Sequence, residues 1–469
     1  MTLDSPERES PSPGSVIARR VYAEEEGFVL RGISRYGLGG LSLLLAAALL
    51  AAGPASAAGF SIFEAGSRST AMGGAFVAHS DDLSAMFYNP AGVVQGVKKG
   101  ELRAMAGVTF IIPRAKLEEG FDPYPGQGYQ AEMVDQFFFP PNFYGSYGLS
   151  ECVSLSFGTW FPFGLATRWD NPDEFRGRFL SQYADLKQYA AGLQVAWQIN
   201  DVIAIGVGPE ARFSTVKLQR KIPLFNPFTN TVVDAAHADI RADLEVDLTF
   251  GAGLRLTPTD RLSIGASYHG AVDADFGGTA IFYAMDTGNP QLNAAFAAKI
   301  PVDTDVPVKT TIQFPAQTQV GIGYDFGKVS VEAAGTFTEW SAFDTTVLEF
   351  EAVDGKQVPT SNLPHDWEDA WALRFGIKWA ASDTFDLMGG FVYDQTPQPD
   401  EDVSPLLPDA NRRGYSVGFS WKITKRTWLD FSNLYLTFSE RSVTTNDDNF
   451  NGRYANFANL TVLNLRTSF

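Results

Sequence analysis

The feature that most constrains this chain is an alternation of period two that runs for seventeen residues, from Ile240 to Leu256. Ile240, Ala242, Leu244, Val246, Leu248, Phe250, Ala252, Leu254 and Leu256 are apolar, and Arg241, Asp243, Glu245, Asp247, Thr249, Gly251, Gly253 and Arg255 lie between them. Successive side chains of a strand point to opposite faces, so the pattern predicts one greasy face and one polar face. Soluble strands are usually roughly 5–6 residues long. A tilted strand crossing a membrane needs roughly 9–11, so this one is long enough to cross and project beyond. Tyr415, Val417, Phe419, Trp421 and Ile423 alternate with Ser416, Gly418, Ser420 and Lys422 in the same way.

The connections sharpen the reading. Fourteen candidate strands lie near 101–113, 141–148, 152–164, 186–199, 202–217, 239–256, 261–282, 314–325, 328–340, 368–381, 383–394, 412–423, 426–441 and 454–469. Short links at 149–151, 200–201, 257–260, 326–327, 382 and 424–425 alternate with long ones at 114–140, 165–185, 218–238, 283–313, 341–367, 395–411 and 442–453. An even strand count with short turns on one side and long loops on the other is the signature of a bacterial outer-membrane barrel. The expected fold is all-β, a 14-stranded antiparallel transmembrane β-barrel. A mean hydropathy of −0.08 agrees, because only alternate residues of such strands face lipid. The chain ends on Leu463, Leu465, Thr467 and Phe469, which reads as a signal for the barrel-insertion machinery.

Targeting gives the same compartment. Arg31 and Arg35 precede an apolar run from Leu38 to Ala52, and Ala55-Ser56-Ala57 fits the small-x-small cleavage rule. Residues 1–57 are expected to be an N-terminal extension and signal peptide, cut after Ala57. Residues 1–30 carry no fold signal, and read as an extended n-region or an upstream start.

Residues 58–100 read as a small plug inside the barrel, and 101–469 as its wall. The stretch from Ala58 to Gly92 is rich in small residues and too short to fold alone. Ser80-Asp81-Asp82 is expected to cap a short helix. Pro90 restricts Asn89, so that helix should end by Tyr88. Asn89, Pro90 and Ala91 are the plug's expected anchor and gate, since Pro90 fixes the backbone and Asn89 can hydrogen-bond to lumen strands.

Ala58-Gly59-Phe60, Gly73-Gly74-Ala75, Asp81-Asp82 and Asn89-Pro90-Ala91 closely resemble the FadL family of outer-membrane transporters. Those proteins carry long-chain fatty acids and other hydrophobic compounds, and related members are aromatic-hydrocarbon channels. Gly164-Leu165-Ala166-Thr167, Trp340-Ser341-Ala342-Phe343, Trp367-Glu368-Asp369-Ala370, Tyr393-Asp394-Gln395-Thr396-Pro397 and Leu407-Pro408-Asp409 extend the resemblance along the wall. It implies capture at outer loops, transfer to an apolar pocket near the plug, and release once the plug rearranges. It also implies an inward kink in strand three that opens the wall sideways. Phe161, Pro162, Phe163 and Gly164 stand there, and proline cannot complete a central ladder. A second reading has Pro162 merely starting the loop.

Binding residues are sought where a surface expected to be polar carries apolar patches. Residues 218–238 hold Leu224, Phe225 and Phe228, and residues 283–313 hold a short helix candidate, 292–300, with Leu292 and Phe296 four apart. A fatty carboxylate needs cations, and Arg212, Lys217 and Arg220 are the candidates. The segment Asp344-Thr345-Thr346-Val347 carries no base, so an acid and a neutral hydrocarbon both stay open as ligands.

Other classes find little support. A net charge of −18 argues against nucleic acid. Cys152 is the single cysteine, and His79, His237, His269 and His365 have no metal-ligand spacing, so no metal and no cofactor is expected. An outer-membrane lipid hydrolase would need a Ser–His pair, for which Ser267 and His269 are the candidates. An adhesive or structural barrel is the third reading. The expected partners are hydrophobic small molecules, outer-membrane lipids and the insertion machinery.

Overall fold

The computed structural model describes residues 59–469, so the expected signal peptide and its cleavage site lie outside the described residues. The strands β1 (Leu102–Gly120), β2 (Pro141–Gly148), β3 (Val153–Arg168), β4 (Tyr183–Gln198) and β5 (Ile203–Asn226) each pair antiparallel with the next. β6 comes in two stretches, Thr231–Ala242 and Glu245–Thr259, as do β7 (Leu262–His269 and Val272–Ala284) and β8 (Asp305–Phe314 and Gln317–Asp325). β9 (Val329–Thr338), β10 (Ala370–Ser382), β11 (Phe385–Asp394), β12 (Arg412–Lys422), β13 (Thr427–Phe438) and β14 (Gly452–Ser468) follow. β14 pairs with β1 from Ser468↔Arg103 to Gly452↔Gly120. The fourteen-stranded sheet is therefore closed and has no edge.

The wall inverts its faces partway up. Near the short turns the interior is polar: Ser267 and His269 of β7 and Gln317 and Gln319 of β8 are buried against the plug. Outside stand Leu193, Val207, Leu248, Phe375 and Val417, all exposed. Farther from the turns Val272, Ala274 and Phe276 of β7 and Ile312 and Phe314 of β8 are buried inside, while Asp273, Asp275 and Thr311 face out. The inversion marks the upper limit of the apolar belt.

This corrects the expectation drawn from Ile240–Leu256. Ser214 pairs with Glu245, but Lys217 pairs with Arg241, so β6 carries one residue more than β5 between those points. Such a bulge exchanges the faces of the strand. Ile240 is buried in the lumen, while Leu248 is 79% exposed on the outside. The apolar residues keep their parity in the sequence while the backbone turns over, so alternation alone cannot register the inversion. A second correction concerns residues 218–238, expected as a long loop. β5 continues to Asn226 and pairs with β6 as a hairpin, Leu224↔Val233 and Phe225↔Val232. Only residues 227–230 turn, closed by Asn230 at φ 55.

Residues 59–100 fill the lower lumen. Phe63, Met72, Phe76, Phe87 and Tyr88 pack with Tyr144, Trp160 and Met388 of the wall in one buried cluster. The helix α1 is Ser67–Ala71, and α2 is Ala85–Tyr88. α2 starts later than the Ser80-Asp81-Asp82 signal predicts. Ser80 has φ 34, outside the helical region, and Asp82 Oδ1 instead accepts from Ser84 N at 2.8 Å and Ser84 Oγ at 2.6 Å. It ends where expected, because Asn89 before Pro90 is extended at φ −163.

Candidate functional site

The turn at Asn89-Pro90-Ala91 ties plug to wall. Asn89 is fully buried; its Nδ2 donates to Val77 O at 2.8 Å and to Leu254 O of β6 at 3.0 Å, and its Oδ1 accepts from Ala91 N at 3.1 Å. Two wall glycines make room: a Cβ on Gly206 would strike the Pro90 carbonyl, and one on Gly253 would strike Asn89 Oδ1. Elsewhere Glu332 of β9 accepts from Ala78 N at 2.8 Å and His79 N at 2.9 Å, and Arg68 holds Asp81 at 2.7 and 3.0 Å.

Ser267 and His269 also serve the plug. Ser267 Oγ donates to Tyr88 O at 2.7 Å, while His269 Nε2 bonds Phe87 O at 2.6 Å and its Nδ1 meets Glu210 at 2.9 Å. Both hydrogen-bonding ends of the imidazole are occupied, and the serine points at a backbone carbonyl rather than at the ring. This arrangement holds a plug and gives no activated nucleophile.

At β3 the wall departs from a regular ladder. β2 pairs with β3 only as far as Phe143↔Thr159. On the other side Trp160↔Ala190 is followed by Phe163↔Gln188, so Phe161 and Pro162 stand opposite the single residue Tyr189. This is a bulge, at the residue that lacks an amide donor. The edge that β2 leaves free is taken by the start of the plug segment. Ile62 N donates to Pro162 O at 2.9 Å and Gly164 N to Phe60 O at 2.9 Å, around the bridge Ser61↔Phe163. A Cβ on Gly164 would lie 2.8 Å from Ile62 Cδ1, the movable end of that side chain.

Two apolar cavities meet behind that bridge. The first, of about 110 Å³, lies in the inverted upper lumen among Leu186, Val216, Ile240, Phe276, Ile312 and Leu348. The second, of about 360 Å³, lies beside β3 among Phe63, Phe138, Phe161, Phe163, Leu436 and Leu460. Phe60 lines both. Its ring contacts Phe163 at 5.8 Å, Trp340 at 4.7 Å, Phe343 at 5.3 Å and Trp367 at 5.7 Å between centroids, which makes it the partition. Polar groups at the first cavity are few. His365 Nδ1 lies 3.2 Å from Asp402, and Trp367 Nε1 donates to the same carboxylate at 2.6 Å. Asp409 holds the partition from the loop side: its Oδ2 accepts from Gly59 N at 2.8 Å and Thr396 Oγ1 at 2.6 Å. Burial pushes its carboxyl above the usual range, against the pull of Arg412.

The cations expected for a ligand separate. Lys217 lines the first cavity, with Nζ 4.0 Å from Asp239 Oδ2. Arg212 is buried at plug level in a 2.6 Å pair with Glu210, its charge already matched and away from both cavities. Arg220 reaches Ser361 Oγ at 3.3 Å. The outer apolar residues also separate. Phe225 and Phe228 are exposed at the β5–β6 hairpin tip, with Leu224 half-buried beside them. Leu292 and Phe296 share the half-buried face of helix α3 (Pro290–Lys299), which Asn289 caps by accepting from Gln291 N and Leu292 N. Phe296 packs on the cluster of Ala238, Ile240 and Phe282, of which Ile240 lines the first cavity. Sequence reasoning did not single out Phe60, Asp402 or Asp409 as site residues. Their only signal was that Phe60 and Asp409 fall in segments carrying the family resemblance.

Comparison with known proteins agrees with this geometry. Residues 48–469 match the family described as outer membrane protein transport protein (OMPP1/FadL/TodX). Outer membrane protein P1 of Haemophilus influenzae is 24% identical over 475 residues, covering 91% of this chain and 99% of that one. A Pseudomonas aeruginosa FadL homologue superposes with a TM-score of 0.70 at 20% identity, over 88% of this chain and 99% of that structure. The Ralstonia pickettii toluene transporter TbuX gives 0.66 at 19% identity, over 87% and 100%. With this wall, this plug and a family match across nearly the whole barrel, the chain belongs to the OMPP1/FadL/TodX family of outer-membrane transport proteins.

Proposed function

We propose that this protein is a passive uptake channel for long hydrophobic molecules, fatty acids foremost, that leave it sideways through the wall at β3. The observation that carries the reading is the meeting of two apolar cavities at the Phe60 ring, the second lying where β2 abandons β3. Phe225, Phe228, Leu292 and Phe296 supply the outer landing surface. A chain entering the first cavity places its carboxylate near Lys217. Apolar burial at roughly 25 cal/mol per Å² then holds the tail. Passage requires Phe60 to withdraw, which breaks the short bridge at Ser61 and opens the second cavity. Asn89-Pro90-Ala91 keeps the rest of the plug in place during that step.

A specific observation favours a second ligand class. The first cavity, at about 110 Å³, compares with the apolar cavity of roughly 150 Å³ that accepts benzene. A single aromatic ring would fit there without Phe60 moving, and the toluene transporter of similar fold gives this alternative its chemistry. Uptake of labelled oleate and toluene by cells carrying this protein as their sole such channel separates the readings. Oleate entry above that of cells lacking the protein is expected. Toluene entry alone would select the aromatic reading, and entry of neither would refute transport of both classes.

A further inference from the structure

A second break in the wall lies between β6 and β7. Their pairing runs from Gly251↔His269 toward the turn and from Ala242↔Gly278 away from it. Between these points residues 244–249 of β6 and 271–276 of β7 have no partners in each other. The break is bracketed by Gly270 N donating to Phe250 O at 3.0 Å and Asp243 N donating to Gly277 O at 2.8 Å. Each strand keeps its other neighbour throughout: β6 stays on β5 from Glu245↔Ser214 to Phe250↔Pro209, and β7 on β8 from Val272↔Phe314 to Phe276↔Thr310. The two ladders have therefore lost their mutual pairing over this stretch, beside the bulge in β6 and the interruption of β7 at residues 270–271.

The break lies at the height where the wall inverts, and the first cavity reaches it. Ala242, Phe276, Gly277 and Gly278 line that cavity and flank the break. Gly277 is exposed to the outside as well, and nothing lies within 4 Å of where its Cβ would sit. Along the break and just below it the outer face of β6 is greasy, with Val246, Leu248 and Phe250 exposed. An apolar cavity thus comes up to an unpaired seam at the upper edge of the apolar belt. We propose that this seam is a second lateral portal, distinct from the one at β3, through which uncharged hydrophobic molecules pass between the outer rim of the membrane and the first cavity. This rests on the uptake reading above and adds a route and a selectivity to it.

The selectivity comes from the rim. Glu245 and Asp247 stand on the lumen side of β6 and Asp273 and Asp275 on the outer side of β7, so acids flank both mouths of the seam, and among the described residues the hydroxyl donor bonded to them is Thr311 Oγ1, 2.6 Å from Asp275. A fatty carboxylate approaching this seam meets like charge. A neutral ring does not. The second cavity beside β3 differs in carrying cations on its lining, Lys187 paired with Asp185 at 2.6 Å and Arg412 paired with Asp394 at 2.8 Å, beside Glu64.

The test closes the seam. With Cys152→Ser as background, Leu248→Cys and Asp273→Cys place thiols on the outer face, one register step apart across it. A short bismaleimide bridges them, and N-ethylmaleimide caps the same thiols without bridging. Toluene uptake in the bridged protein should fall at least fivefold below the capped protein, with oleate uptake the same in both. In a second variant, Asp273→Lys with Asp275→Lys should raise oleate uptake at least twofold. Equal toluene uptake by bridged and capped protein overturns the portal while leaving the uptake reading intact. No uptake of either compound by the unmodified protein overturns both.

Discussion

Lys217 is the only lysine or arginine among the described residues lining the upper cavity, and its nearest carboxylate, Asp239, is 4.0 Å away. It is therefore available to a ligand in a way that Arg212, locked on Glu210, is not. Lys217→Met should weaken oleate binding about tenfold, or ~1.4 kcal/mol, and leave toluene binding unchanged, as read by titration calorimetry in mild detergent. Asp409 makes a pH prediction. Burial raises its carboxyl above its unfolded value of about 3.9, so its stabilising contribution is full below that value and is lost as pH rises through the raised one. The segment that Asp409 holds through Gly59 N should loosen over that window. A fluorophore at Ser61→Cys, in a Cys152→Ser background, should lose anisotropy as pH rises, and Asp409→Asn should flatten the curve.

At the scale of elements, the plug is held by side chains reaching wall glycines rather than by a continuous sheet. Gly206 and Gly253 form a seat only as wide as the Asn89–Pro90 backbone. Gly253→Val should expel that turn, and Asn89→Ala should leave Leu254 O without its donor. Both should raise single-channel conductance in planar bilayers severalfold while the barrel keeps its resistance to detergent. Unchanged conductance in both would show that the turn seals nothing. The strands themselves were legible in the sequence because period two survives wherever one face meets lipid. What stayed hidden was the face inversion in β6, since Ile240 and Leu248 share a parity although one points in and the other out. The hairpin at 218–238 was hidden for a related reason: Ile222-Pro223-Leu224-Phe225 is uniformly apolar, and a run without alternation looks like a loop. The site was only partly legible. Phe60 and Asp409 act through contacts distant in the chain, Phe60 with Phe163, Trp340 and Trp367 and Asp409 with Gly59, and no local pattern encodes those.

For the whole molecule, the barrel, the inverted upper wall and the plug together make an apolar compartment above a polar seal. In the proposed route, hydrophobic molecules cross by displacing the segment that closes β3. Ser61 and Phe163 form an antiparallel pair flanked by the bonds Ile62 N to Pro162 O and Gly164 N to Phe60 O. Such a pair brings the Cα atoms to about 4.5 Å, within reach of a disulfide. Ser61→Cys with Phe163→Cys, in a Cys152→Ser background, therefore staples the segment to the wall. The measurement is oleate uptake by cells carrying the oxidised protein, before and after a reductant. A loss of at least tenfold on oxidation, with recovery on reduction, is expected. Uptake at the same rate in the oxidised and reduced protein would rule out this route.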